Sequence, residues 1–109
     1  MSARLPAHLI VGALLRRVND AGGIAVIRAR GDADTGAILM LLEQENRLLE
    51  RAIDLDGNDV LIPSGPTAAS SDSPDDYWMK RRARDPDLWV VALDVPGGER
   101  FAAETILSN

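Results

Sequence analysis

Hydrophobic positions along the chain fall into blocks of helical and strand spacing, separated by clusters of Gly, Pro and Asp. Leu9, Ile10, Ala13, Leu14, Arg17 and Val18 recur at helical intervals, with Arg17 the one charged position in the stripe. Pro6 suits a first helical turn, where its missing N–H is not needed, and Gly22-Gly23 supplies a residue able to end the helix. The spacing predicts a helix over residues 6–21. Ile24-Ala25-Val26-Ile27 is short, β-branched and bounded by glycines, and predicts a strand over 24–30. Gly31-Asp32-Ala33-Asp34-Thr35-Gly36 reads as a turn, with glycines for unusual backbone angles and Asp side chains for local bonds.

Residues 37–55 are ambiguous. Ile38, Leu41, Leu42, Leu48, Leu49, Ala52 and Ile53 fit a helical stripe interrupted only at Glu45. They also fit a hairpin with strands over 38–42 and 48–55 joined through 43–47. Periodicity alone favours the helix slightly. A second turn over 54–59 leads to a short strand, Val60-Leu61-Ile62, and then to a loop over 63–73 whose Pro, Ser and Gly content reads as flexible.

Ser73-Pro74-Asp75-Asp76 is a helix start: a capping serine, a first-turn proline and two acids that complement the helix dipole. That helix carries Tyr77, Trp78 and Met79, then a basic run, and should stop at Asp85, since the residue before a proline disfavours helical angles. Leu88-Trp89-Val90-Val91-Ala92-Leu93 is nearly continuous apolar sequence, the pattern of a central strand covered on both faces. After Pro96-Gly97-Gly98, residues 99–107 predict a terminal helix with Phe101, Ala102 and Ile106 facing inward. These elements imply one α+β domain over residues 1–109: a small, mostly antiparallel sheet of about four to five strands packed with about two to three helices.

Composition narrows the class. Of 109 residues, 46% are hydrophobic and 27% charged, the balance of an ordinary folded domain. There is no cysteine, which excludes disulfides and thiolate metal sites. The apolar run over 9–15 is broken by Gly12, closed by Arg16-Arg17 and followed by no small-residue cleavage site. It is also shorter than the ~20 apolar residues of a membrane span, so a buried helix in a cytoplasmic protein is expected. Net charge is −5, concentrated in residues 43–76, where two Arg face nine acids. General attraction to nucleic acid is thereby disfavoured.

Three segments together carry a resemblance: Leu14-Leu15-Arg16-Arg17, the Gly31-Asp32-x-Asp34-x-Gly36-Ala37 turn, and Arg81-Arg82-x-x-Asp85-Pro86-Asp87-Leu88-Trp89-Val90-Val91. The chain resembles the domain of unknown function 1491 family, a group of short alphaproteobacterial proteins. Leu48-Leu49-Glu50-Arg51 and the ending Glu99-Arg100-Phe101-Ala102-Ala103-Glu104-Thr105-Ile106 resemble its sphingomonad branch. The resemblance offers no catalytic residues to carry over, and no cofactor is expected. It does imply turn-like insertions within 37–55, which a continuous helix tolerates poorly, and so favours the hairpin there.

Among candidate chemistries, the run Lys80-Arg81-Arg82-x-Arg84 behind Tyr77 and Trp78 is the best lead, because cations neutralise phosphates and aromatics stack on bases. Against it stands a solvated helix end with its aromatics turned to the core; Asp75, Asp76, Asp85 and Asp87 would blunt its potential. Asp32, Asp34 and Glu43 fall at calcium-loop positions one, three and twelve, but Gly36 and Ala37 stand where an oxygen ligand and a glycine are needed. Asp54, Asp56, Asn58 and Asp59 could likewise gather oxygen ligands, but turns rich in Asp, Asn and Gly are usually just turns, and no metal is expected at either place. His8, the only histidine, is expected to be a partly buried structural side chain. A hydrolase built on Asp residues would need two or more of them gathered in one pocket.

The resulting expectation is a non-catalytic binding or protein-interaction module, working on an unidentified protein or by self-association, with no membrane role. The alternative is a nucleic-acid-contacting accessory protein using Arg16, Arg17, Arg28, Arg30, Trp78, Lys80, Arg81, Arg82 and Arg84. It requires those cations to converge on one face.

Overall fold

A computed structural model of the chain describes residues 5–66 and 70–107. In chain order the elements are α1 (Ala7–Asp20), β1 (Ile24–Ala29), β2 (Ile38–Leu42), β3 (Arg47–Ile53), β4 (Asp59–Ser64), α2 (Pro74–Arg84), β5 (Trp89–Asp94) and α3 (Gly98–Ile106). The strands form one five-stranded sheet in the order β1-β5-β2-β3-β4. Only the β2–β5 pairing is parallel; β1–β5, β2–β3 and β3–β4 are antiparallel. The architecture is the expected α+β, with every strand and helix near its predicted position.

The hairpin over residues 38–53 settles the ambiguous segment. Leu42 pairs with Arg47, and Asn46 takes a positive φ of 52° in the turn, a conformation that Asn tolerates better than most residues. Every residue of β2 is buried, and Leu48 and Leu49 of β3 are buried side by side. A strand covered on both faces loses its period-two alternation, which is why its leucines mimic a helical stripe.

Each face of the sheet has its own core. On one, α1 and α3 pack through Ile10, Val11, Leu14, Val18, Ala102 and Ile106 onto Ile38, Met40, Leu42, Leu49, Val91 and Leu93. On the other, α2 lays Tyr77 and Trp78 over Leu39, Leu41, Leu48, Leu88, Val90 and Ala92. The sheet is the middle layer between helices.

Three expectations are corrected. The buried stripe of α1 is Ala7, Ile10, Val11, Leu14 and Val18, so Leu9 stands 50% exposed and Val11 takes a place inside. His8 is exposed, and its Nδ1 lies 2.9 Å from the carbonyl oxygen of Ala33. The strand read as residues 60–62 runs on through Ser64, with Pro63 opposite Leu49. Because β4 is an edge strand, the missing proline N–H leaves no broken ladder. The loop expected over 63–73 is therefore shorter, and residues 67–69 of it lie outside the described residues.

Candidate functional site

The helix α2 begins as its sequence dictates. Ser73 Oγ accepts the Asp76 N–H at 3.1 Å, the Asp76 carboxylate accepts the Ser73 N–H at 3.4 Å, and Pro74 occupies the first turn. This start orients the basic run, and each of its first three cations has a partner within the chain, Lys80 in an ion pair at the exposed surface. Lys80 Nζ donates to Asp72 at 3.0 Å and 3.1 Å. Arg81 turns down onto the sheet and forks onto Glu50, with its two terminal nitrogens 2.5 Å and 2.7 Å from the carboxylate oxygens. Arg82 donates to the carbonyl of Arg30 at 2.8 Å. Arg84, in the last turn, is exposed.

Glu50 is the polar centre of this face. It lies opposite Leu39 in β2 and Ile62 in β4, so its carboxylate rises between apolar positions. Ser64 Oγ donates to it at 3.2 Å and lies 3.3 Å from the Tyr77 hydroxyl. The Arg81 fork holds the Glu50 carboxyl below the ordinary carboxylate range, outweighing the burial that pushes it up. Arg81 is raised in turn by the same hydrogen bond. A paired guanidinium and carboxylate of this kind position a helix on a sheet; neither group is poised to exchange a proton at neutral pH.

The remaining candidates disperse. Trp78 is half-buried against the sheet, and its Nε1 donates to Asp75 at 2.9 Å. Arg16 is exposed on α1, and Arg17 lies 3.6 Å from Glu104 of α3; both sit on the layer opposite α2. Arg28 pairs with Glu43 at 3.0 Å, and the Arg30 guanidinium lies 5.6 Å from the centre of the Trp89 ring. Of the calcium-loop acids, Asp32 serves its own turn, with Oδ1 accepting the N–H groups of Asp34 and Thr35, and Glu43 pairs with Arg28. In the second turn Asp54 Oδ1 accepts those of Asp56 and Asn58. The Thr35 and Asp34 amides hold the Asp32 carboxyl below its usual range.

Two segments of the family resemblance meet across the fold. Trp89 Nε1 donates to the Asp32 carbonyl at 2.7 Å, and Asp32 N–H donates to the Asp87 carbonyl at 3.0 Å. Gly31 and Gly36 make this approach possible, since a Cβ on either would fall 2.1 Å or 2.3 Å from the Asp87 oxygen. The same loop caps α1, whose Ala7 and His8 amides donate to the carbonyls of Asp34 and Ala33. These residues are scaffold.

Sequence reasoning missed the strand edge. Among the described residues no strand pairs with the outer side of β1, where Ile24 is 60% and Val26 43% exposed. The apolar spelling of residues 24–27 signals a strand but not its place at the edge. The sheet's other edge, β4, carries Pro63 and opens on Asp59, both of which discourage pairing. Glu50 was also missed as the acceptor of Arg81, because thirty-one residues separate them in sequence.

Comparison with known proteins places the chain. Residues 5–103 match the family model described as protein of unknown function (DUF1491). A crystal structure of a DUF1491 family protein from Caulobacter crescentus is 29% identical, with a TM-score of 0.73 over 90% of this chain and 94% of that one. An NMR structure of a DUF1491 family protein from the same organism is 30% identical, with a TM-score of 0.73 over 92% and 94%. A solution structure of a protein from A. tumefaciens is 25% identical, with a TM-score of 0.59 over 85% and 87%. No curated protein matches the chain.

Proposed function

The chain belongs to the DUF1491 family, whose description assigns no role, and from its own surface we propose that it is a non-catalytic protein-interaction module that accepts a partner strand on β1. The observation that carries this reading is the outer edge of β1, which offers main-chain groups together with exposed Ile24 and Val26. An added strand would take its affinity from the main chain and its specificity from those alternate side chains. The non-catalytic reading is supported by the mutual engagement of Glu50, Arg81, Ser64 and Tyr77 on the face of α2.

The nucleic-acid alternative has less support. Lys80, Arg81 and Arg82 are engaged internally, and Arg16 and Arg17 lie on the layer opposite them. In a pull-down with the tagged full chain, protein partners should persist through nuclease and moderate salt and be lost with Ile24→Lys/Val26→Lys. Retention by that variant would refute the edge as the site. Nucleic acid that co-purifies and falls away steeply with salt, sensitive to Arg84→Ala, would favour the alternative.

A further inference from the structure

We infer that the strand added to β1 is β1 of a second copy of this chain, run antiparallel and centred on Val26; the inference rests on the edge reading above. The direction of the main chain leads to it. In β5, Trp89 N–H donates to Ala37 and Leu93 C=O accepts from Glu43, so alternate residues from Trp89 to Leu93 direct their main chain to β2. Val90, Ala92 and Asp94 must then face β1, where Ala92 and Asp94 lie opposite Val26 and Ile24. Ala25 and Ile27 are left with N–H and C=O turned outward. The Ala25 N–H confirms this direction, since it reaches only the Asn19 side chain, at a long 3.4 Å.

Outward groups on alternate residues fit a copy of themselves. With Ala25 of one chain opposite Ile27 of the other, both residues exchange their bonds in both directions. Val26 then faces Val26 across the two-fold axis, and Ile24 faces the stem of Arg28. The self-complementary surface is what an isologous interface requires. Moving the two-fold axis by one residue to Ala25, a two-residue slip of the pairing, would set Gly23 opposite Ile27, and the Gly23 N–H is already given to Val18. The bulge between Ile27 and Ala29 ends the ladder at its other side.

Charge selects the same arrangement. Cationic Arg28 and Arg30 lie at one end of β1, while Asp20 and Asp94 lie at the other. Within the chain Arg28 also pairs with Glu43, Arg30 stacks on Trp89 and Asp94 accepts from Gln44. Among the described residues this leaves the exposed Asp20 as the acid without a partner at its end. Antiparallel pairing brings each cationic end beside the partner's acidic end; a parallel pair would stack like on like. The two five-stranded sheets become one, and the exposed side chains of Ile24 and Val26 are covered.

The chain has no cysteine, so Val26→Cys introduces a single thiol. Opposed Cβ atoms in such a non-bonded pair lie about 4.5–5.5 Å apart, so mild oxidation should link Val26→Cys into dimers about tenfold faster than Leu55→Cys, a fully exposed turn thiol. Sedimentation should give twice the single-chain mass for the wild type and the single-chain mass for folded Val26→Asp. Equal cross-linking rates, or a monomeric wild type, would overturn the inference. A monomer that still captures another protein in a Val26-dependent way overturns self-pairing alone. A monomer whose capture ignores Val26→Asp overturns the edge reading as well.

Discussion

Removing Arg81 tests whether the α2 layer is held by its ion pair or only by its aromatics. The side chains of Arg81 and Glu50 are 23% and 18% exposed, which places the pair between two regimes. Exposed pairs contribute about 0.2–1 kcal/mol, whereas breaking a fully buried pair costs about 3–5 kcal/mol. Residual solvent screens part of the latter, so Arg81→Met should destabilise the fold by about 2–3 kcal/mol at pH 7. The cost arises mainly from a Glu50 carboxylate left among Leu39 and Ile62 with Ser64 as its remaining donor. Replacing both partners, Glu50→Leu with Arg81→Met, removes that stranded charge and should recover at least half of the loss. The sign of the pH dependence follows from the lowered carboxyl of Glu50. Its contribution is present in full above the unfolded carboxyl value near 4.5 and is lost as pH falls below that through the folded value. Arg81→Met should therefore differ from wild type most at pH 7 and least at the acid end. Urea unfolding of the four members of this cycle, at pH 7 and at about pH 4, measures both effects. A coupling below about 0.5 kcal/mol, or one that does not shrink with acid, would refute the assignment of Arg81 as the clamp.

Other perturbations probe the scaffold. Gly36→Ala should cost about 3 kcal/mol or more, because its Cβ would meet the Asp87 oxygen at 2.3 Å and both sides of that contact are backbone-anchored. Gly12→Ala, in the interior of α1 with nothing within 4 Å of the new Cβ, should instead stabilise by about 0.5–1 kcal/mol; thermal melts of the two variants should move in opposite directions. Ser73→Ala removes the side-chain half of the α2 capping box and should cost about 1 kcal/mol, read as faster hydrogen exchange in the first turn of α2. Trp89→Phe loses the indole bond to the Asp32 carbonyl and should destabilise by about 1–2 kcal/mol, whereas Trp78→Phe leaves the blue-shifted emission of buried Trp89.

Most of the fold was legible because its punctuation is local. Ser73, Pro74 and Asp76 fix the start of α2 within four residues of chain, and Gly22 with φ of 86° follows α1 where the sequence places it. Boundaries blurred where tertiary burial overrides period. Leu48 and Leu49 are adjacent yet both buried, because helices cover the sheet from each side, so no single-face pattern survives in β3. Leu9 shows the reverse case, an apolar residue in the predicted stripe that the packing of α1 against α3 leaves outside. The surface was less legible still. Lys80 and Arg82 look like free cations in sequence; only the fold shows that Asp72 and the Arg30 carbonyl take them up. Edge position is likewise a property of strand order and is absent from the spelling of any one strand.

The contact between the Asp32 loop and Trp89 spans fifty-seven residues of sequence yet also holds the start of α1 and, through Arg30 and Arg82, the end of α2. Chain breaks are therefore not equivalent around the molecule. New termini placed within residues 31–36 would release the caps of α1 and the seat of Trp89 together, whereas new termini within 54–58 would open one hairpin turn closed by its own Asp54. A circular permutant cut at the second place keeps the pole of the sheet intact, while one cut at the first has to rebuild it from a loop closure of high sequence separation.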